Sequence, residues 1–481
     1  MLPRLWGEHS EEESGRFSDI DETTFEYLKN LGINAIWYTG IIRHSQDKPF
    51  VKGRAGSPYA IYDYFDVNPY LADEPSKRME EFENLVRRTH EAGLKVIIDF
   101  VPNHVGRDNV NFGRDDDKSV HWKPENDFFY YPGEAFRLPC GDWDEMPARA
   151  SGNAFTPTPG ENDWYETVKL NYCDFHTQTW DKMLDILKFW SGKGVDGFRC
   201  DMVELVPWQF FRWAIAQLKE AYPHLLFIAE VYRKESYHKY IYEVGFELLY
   251  DKSGMYDTLR SIVQHGADAR EISACWQNTG GMQAYMLNFL ENHDEQRLAS
   301  DFFAGDAGRG FAPLCVSALL NEASFMLYFG EEVGERGMDS EGFSGLDGRT
   351  TIFDWYSPKG IKAIWREIHG IEGLSTQQES VLERYREILR LAANEKVFSN
   401  GKMYDLCYCN TDSYGVNPKR CFMFLRSLEG KTYLVVANFS EHSLEMKLKI
   451  PAEAGEYFGL ELPQETGLIR VRAHDGEILP L

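Results

Sequence analysis

Positive charge is scarce in this 481-residue chain: 51 lysines and arginines face 76 aspartates and glutamates, a formal net charge of −25 at pH 7. That balance repels nucleic acid and anionic membrane surfaces, and no basic patch offsets it. A neutral or cationic partner is expected instead. Long apolar runs are missing too, since no stretch approaches the ~20 consecutive apolar residues of a membrane span. Met1 to Ser10 shows no basic region leading into an apolar one. The expectation is a cytoplasmic protein, or a secreted one whose leader has been removed. The eight cysteines, Cys140 to Cys421, contain no CxxC pair of the kind that holds zinc. Reduced structural thiols are the expected state. Internal repeats and low-complexity tracts are also absent.

What the chain does have is apolar material for a large core, with 43% hydrophobic and 14% aromatic residues. Its length exceeds one ordinary domain. Short apolar runs recur at Ile33–Thr39, Leu94–Phe100, Val195–Asp201, Leu225–Val231, Gly245–Tyr250, Ala284–Leu290 and Ser324–Phe329. Each is continuous rather than alternating, as in strands buried on both faces of a parallel sheet. Amphipathic segments lie between them. Phe82, Leu85 and Val86 recur at helical spacing before Gly93, and Trp180, Met183, Leu184, Leu187 and Trp190 make a second stripe. Pro207 suits the first turn of a helix carrying Phe211, Ile215 and Leu218. With Leu2–Trp6 as a first strand, eight strands are counted, which favours an α/β (β/α)8 barrel over a doubly wound sheet.

The rhythm breaks twice. After Phe100 about 75 residues, rich in Gly, Pro, Asn, Asp and aromatics, pass before the next long helix, so an inserted subdomain is expected after the third strand. From about Asn394 helices give way to strand-like segments at Met403–Cys409, Cys421–Ser427, Thr432–Asn438, Ser443–Ile450 and Gly467–Val471. These imply a C-terminal all-β sandwich. The expected division is a barrel from 1–103 and 176–393, a subdomain at 104–175 and a sandwich at 394–481.

In such a barrel the catalytic side chains gather at the carboxyl ends of the strands. Those ends read Asp99-Phe-Val-Pro-Asn103-His104, Gly197-Phe-Arg199-Cys-Asp201, Ala229-Glu230-Val231 and Glu291-Asn292-His293-Asp294. Cleaving a glycosidic bond with retention needs a nucleophilic carboxylate and a protonated carboxyl ~5–5.5 Å apart. Residues this distant in sequence meet that demand only where a barrel mouth collects them. Three carboxyls at strand ends repel one another unless used, which weighs against purely structural roles for Asp201, Glu230 and Asp294.

Together the four segments resemble the conserved regions of glycoside hydrolase family 13, the α-amylase family, over the whole barrel and its two appended regions. The resemblance implies that Asp201 is the nucleophile and Glu230 the general acid and base. Asp294 would grip sugar hydroxyls and favour the distorted ring of the transition state. Arg199, on the same strand face as Asp201, would hold the nucleophile ionised. The apolar strand before Glu230 would help keep its proton. His104 and His293 would hydrogen-bond the reacting sugar, and Tyr59 would stack on it. Asp99 would support the geometry from behind. Each has a blander reading: a structural carboxylate paired with Arg199 for Asp99, satisfied core histidines, and a core aromatic for Tyr59. For Trp37 and Phe329 core packing is the reading adopted.

The chain departs from the family where Ala60 replaces an Asp after the stacking Tyr, and where Glu204 and Leu205 replace a Lys-His pair after the nucleophile. A sugar contact on each side of the scissile bond is affected, but not the hydrolytic chemistry. The family often binds a structural calcium through the Asn of the third-strand motif; Asn103 matches it, with Asp163 and Asp174 as further candidates, though their spacing fits no defined calcium loop. No cofactor is required for the chemistry. The implied activity is retaining hydrolysis of α-glucosidic bonds, α-1,4 above all, in starch-like glucans or maltooligosaccharides. The expected partner is this neutral oligo- or polysaccharide, not nucleic acid or membrane. One alternative passes the glycosyl group to another sugar or to phosphate. Another, of a different class, is a non-catalytic binding or scaffold protein; such members usually lose a catalytic carboxylate or gain a membrane span, and this chain shows neither.

Overall fold

The computed structural model describes residues 1–10, 12–131, 138–139, 165–339, 342–343 and 345–481. They fall into two compact units, one of Met1–Glu26, Asn34–Leu249 and Ile352–Ser357, the other of Tyr27–Ile33, Tyr250–Thr351 and Pro358–Leu481.

In the first unit four strands, Ala35–Tyr38, Lys95–Phe100, Gly197–Cys200 and Leu226–Ala229, pair in parallel in that order. Leu248 and Leu249 continue the sheet beside Ile228 and Ala229. The central strands are apolar on both faces because both are covered, and Val96, Ile98, Phe198, Phe227 and Ala229 are almost fully buried. Helices Arg78–Glu91, Gln178–Gly192 and Trp208–Ala221 turn their apolar stripes inward, burying Phe82, Leu85, Trp180, Met183, Trp190 and Phe211. Each large apolar side chain removed from water contributes about 1.5–3 kcal/mol. Gly93, at φ +80°, takes the left-handed turn that lets the chain leave the first of these helices and enter the Asp99 strand.

The expected first strand, Leu2–Trp6, is not one. Pro3–Leu5 forms a 3-10 turn, because Pro3 has no N–H to give to a ladder and its fixed φ suits a turn. Only Met1 pairs like a strand, its terminal amine donating to the Trp37 carbonyl (2.8 Å) and its carbonyl accepting from the Thr39 N–H (2.9 Å). Within the expected insertion, His104–Gly106 pairs antiparallel with Thr167–Lys169. Phe129, Tyr131 and Cys173 form a small core there, with Trp122 and Leu138 packed against it.

In the second unit Met286–Phe289 and Ser324–Met326 pair in parallel, and helices Phe311–Leu319 and Thr376–Asn394 accompany them. Lys402–Asp405, Cys421–Leu428, Lys431–Asn438 and Gly476–Pro480 build a four-stranded antiparallel sheet in that order, and Leu444–Met446 pairs separately with Ile469–Val471. Two details differ from expectation. The segment Met403–Cys409 is a strand only to Asp405 and then turns as a 3-10 helix at Cys407–Cys409, where the Asp405 carboxylate captures the Cys407 N–H at 2.7 Å. Helices also do not stop at Asn394, since Ala452–Phe458 is α-helical, led by Pro451 and ended by a left-handed Gly459. The cysteines depart from expectation at Cys173, which is disulfide-bonded, whereas Cys200, Cys275, Cys315, Cys407, Cys409 and Cys421 are free thiols. A disulfide without CxxC spacing leaves no local mark in the sequence.

Candidate active site

Strand register assembles the centre of the first unit. Asp99 lies directly beside Arg199, and Cys200 beside Ala229, so the residues that follow, Asp201 and Glu230, end adjacent strands. The ladder reaches into both: the Asp201 N–H donates to Phe100 (2.9 Å) and the Glu230 N–H to Cys200 (3.2 Å). Arg199 and Asp201, two residues apart, share a face.

The Arg199 guanidinium has no solvent exposure and meets three carboxylates, Asp201 at 2.6 Å, Glu230 at 3.0 Å and Asp99 at 3.5 Å. Its planar fork suits this, because Nη1 faces Asp201 and Asp99 while Nη2 faces Glu230. The rings of Trp37 and Tyr59 lie 5.2 and 5.5 Å from the guanidinium carbon, excluding water from it. Both rings also hold Asp99, through the Trp37 indole N–H at 3.1 Å and the Tyr59 hydroxyl at 3.4 Å. Asp99 thus lies behind Arg199, held by both aromatic residues. Tyr59, only 3% exposed, packs into the cluster, and Trp37 is a member of it rather than simple core packing.

Glu230 is gripped at both oxygens. The Met202 N–H donates to Oε2 at 2.7 Å, and the Tyr232 hydroxyl to Oε1 at 2.7 Å. Met202 points its N–H there from a left-handed conformation, φ +46°. Glu204, one of the departures from the family pattern, accepts from the backbone N–H groups of Tyr232 (2.9 Å) and Arg233 (3.2 Å) and from the Arg233 side chain (3.0 Å). It therefore fixes the turn that presents Tyr232. Neither Tyr232 nor Glu204 was singled out as a site residue from sequence; the available signal was Tyr232's place two residues beyond Glu230, on the same side of an extended chain.

Burial raises the Asp201 carboxyl well above the usual carboxylate range; Arg199 opposes this, while Glu230 and Asp99 add to it. Beside a second buried carboxyl, Asp201 ionises less readily than a free aspartate does. Desolvation thus works against the expected role of Arg199 in holding Asp201 ionised. The arrangement can supply one carboxylate to attack and one carboxyl to protonate.

His104 is fully buried, and burial, reinforced by the Lys169 charge, pushes its basicity down to about 3. It stays neutral at any working pH. Asn103 Nδ2 donates to its Nδ1 at 3.1 Å, which leaves the ring proton on Nε2. Asn103 does not fit its implied calcium role. Its Oδ1 already accepts from the fully buried Lys169 ammonium at 2.5 Å, and that ammonium also donates to the Leu205 carbonyl at 3.1 Å. A calcium ion needs the same oxygen and is repelled by a cation placed there. Asp174 is exposed and engaged with the Phe175 N–H at 2.7 Å, and Asp163 lies outside the described residues. Among the described residues no group of three or more His, Cys, Asp or Glu gathers as a metal site.

Asp294 and His293 belong to the second unit. His293, almost buried, places Nε2 3.1 Å from the Asp294 carboxylate, which is about one-third exposed. Asn292 accepts from the Asp294 N–H (2.8 Å), and Arg349 donates to the Asp294 carbonyl (3.2 Å), so the carboxylate hangs from a pinned backbone. Glu291, on the same strand end, instead pairs with Arg297 at 2.9 Å inside the core.

A family model described as the alpha amylase catalytic domain matches residues 2–367. Alpha-amylase 3 of Dictyoglomus thermophilum is 25% identical over 407 residues, 79% of this chain and 73% of the relative. The amino acid transporter heavy chain SLC3A1 of Homo sapiens is 22% identical over 92% of this chain and 70% of its own length. Among solved structures, an alpha-amylase from H. orenii superposes with a TM-score of 0.69 at 20% identity, covering 100% of this chain and 98% of that one. At that identity the likeness establishes the fold, an α/β (β/α)8 barrel with a C-terminal β domain.

Proposed function

Because this chain belongs to the α-amylase family of glycoside hydrolases, we propose that it hydrolyses α-glucosidic bonds, chiefly α-1,4, in starch-like glucans or maltooligosaccharides with retention of configuration. The observation that carries this is the buried guanidinium of Arg199 holding Asp201 and Glu230, at the ends of adjacent strands, in one cluster. Asp201 attacks the anomeric carbon while Glu230 gives its proton to the departing glycosidic oxygen, leaving a glycosyl ester on Asp201. Glu230 then takes a proton from water, whose oxygen attacks the same carbon and frees Asp201. Two inversions give the α anomer. His104 offers Nε2–H to a sugar hydroxyl and Tyr59 walls its side of the pocket, and the family resemblance assigns the binding of sugar hydroxyls to Asp294 and His293 as well.

The domain division is proposed as expected, with the barrel in 1–103 and 176–393, the insertion at 104–175 and the sandwich at 394–481. No calcium is assigned at Asn103; the Lys169 ammonium supplies the positive charge there. The transporter-chain relative favours a second reading, a barrel kept as a scaffold. Against it stands the presence of all three carboxylates, Asp201, Glu230 and Asp294. Incubation with starch and maltooligosaccharides, with and without an added acceptor sugar or phosphate, separates hydrolysis, transfer and inactivity by product chromatography. NMR of fresh product should show the α anomer first, and a β anomer would overturn the mechanism.

A further inference from the structure

A cleft of about 650 Å³ opens in the second unit, where helix Glu271–Thr279, the edge strand Lys402–Asp405 with its following turn, and helix Ala452–Phe458 meet. That volume falls within the ~300–1,000 Å³ range of ligand pockets. It contains none of the residues of the catalytic cluster.

Its lining is unusual for the surface of so acidic a chain. Tyr408 is 61% and Tyr457 48% exposed, and both rings flank Tyr404, with centroids 6.3 and 5.9 Å away. Partly buried Trp276 also lines the cleft. Scattered exposed aromatics are ordinary, but several converging on one concave site mark a binding surface. The rings are held in place. The Tyr404 and Tyr408 hydroxyls hydrogen-bond at 2.7 Å, and Lys402 donates to the Tyr457 carbonyl at 3.2 Å with its ammonium 4.9 Å from that ring.

The polarity of the lining selects the occupant. Its only two charged residues are already paired, Arg270 with Asp268 at 2.6 Å, and Asp405 with the Ser273 hydroxyl and the Cys407 N–H. The cleft therefore presents rings, hydroxyls and the Gln277 amide, with no spare charge to recognise an ion. Flat rings bordered by neutral hydrogen-bonding groups match a pyranose, whose C–H faces are apolar and whose rim carries hydroxyls.

We propose that this cleft is a second carbohydrate site, binding a segment of neutral α-glucan chain through Tyr408, Tyr457 and Trp276 without cleaving it. The choice of glucan rests on the proposed function; the site itself rests on the cleft. Such a site raises the effective concentration of a long substrate around the enzyme and does nothing for a short one.

The test compares the full chain with a Tyr408→Ala/Tyr457→Ala variant and a Trp276→Ala variant, each first checked for an unchanged melting temperature. Retardation in native gels containing amylose is measured alongside turnover of a short chromogenic maltoside and sedimentation. We expect the double variant to lose retardation roughly tenfold or more, with maltoside turnover unchanged within about twofold and Trp276→Ala intermediate. Should the double variant be destabilised, Tyr408→Ala alone, at the most exposed ring, is expected to give a severalfold loss. Equal retardation of parent and folded variants, while amylose is still hydrolysed, would overturn the cleft and leave the proposed activity standing. Lost retardation in a chain that hydrolyses no α-glucan would uphold the cleft and sink the activity. A parent that neither hydrolyses nor is retarded overturns both, and a variant that changes only the sedimenting species makes the cleft a protein interface and overturns the glucan assignment.

Discussion

Asp201 performs its proposed role only when ionised, yet burial raises its carboxyl well above the usual range despite the guanidinium at 2.6 Å. Turnover should therefore fall, as pH drops, earlier than an ordinary aspartate at about 4 would dictate. The kcat/KM profile should have its acid limb clearly above pH 4, and an acid limb at or below that value would refute the raised carboxyl. Asp201→Asn should cost several orders of magnitude in turnover, whereas Glu230→Gln should recover its first step with a good leaving group. Tyr232 touches the same acid at 2.7 Å. Tyr232→Phe should lower kcat roughly tenfold with KM little changed, and less for an activated leaving group, if the hydroxyl orients Glu230 for proton delivery. A rise in KM alone would make Tyr232 a substrate contact instead. These residues differ in how legible they were. Asp99, Arg199, Asp201 and Glu230 announce themselves by lying at strand ends, Arg199 and Asp201 with i, i+2 spacing as well. Trp37 and Glu204 do not, because an apolar-run tryptophan and a loop glutamate look the same wherever their side chains finally point.

At the level of elements, strand Thr167–Lys169 and the residue before it tie the Ser57–Tyr59 and Asn103–His104 segments together. Glu166 accepts from the Ser57 N–H at 3.0 Å, and burial pushes its carboxyl up to about 7. The native state thus keeps a proton that the unfolded chain releases near pH 4.5. The sign follows: this contribution is full below the unfolded value, shrinks as pH rises through about 7, and amounts to roughly 3 kcal/mol at most. Glu166→Gln should lose little at pH 5 and gain relative to the parent at pH 8, as denaturant melts at the two pH values would read; a constant difference would contradict it. Lys169 leaves no sequence signature either, because lysine is the residue least expected to be buried. Excess chelator should not shift the unfolding temperature, while Lys169→Met should cost about 2–4 kcal/mol by stranding the Asn103 and Leu205 oxygens. A chelator-induced drop would restore the ion and remove the lysine from its role. The strands themselves were legible to within three residues wherever the apolar run was continuous, and failed at Leu2–Trp6, where a single proline overrides hydrophobicity.

For the molecule as a whole, the net charge of −25 bears on substrate choice. A neutral glucan feels no long-range field, so KM for a maltooligosaccharide should stay within about twofold between low and high salt, in contrast with any phosphorylated sugar. A strong salt dependence would point to a charged substrate. Barrel and terminal β domain were both readable because short apolar runs bounded by turn residues are properties of the chain alone. The aromatic cleft was not, since Trp276, Tyr408 and Tyr457 come from three elements far apart in sequence and none sits in a motif.

Met202 sets a rule for what this scaffold tolerates. Its left-handed backbone aims an amide at Glu230, and side chains branched at Cβ pay most to adopt that conformation. In a saturation library at position 202, survivors would be sorted by backbone permissiveness rather than by polarity or size. Glycine and asparagine would persist, while valine and isoleucine, apolar like the methionine they replace, would drop out.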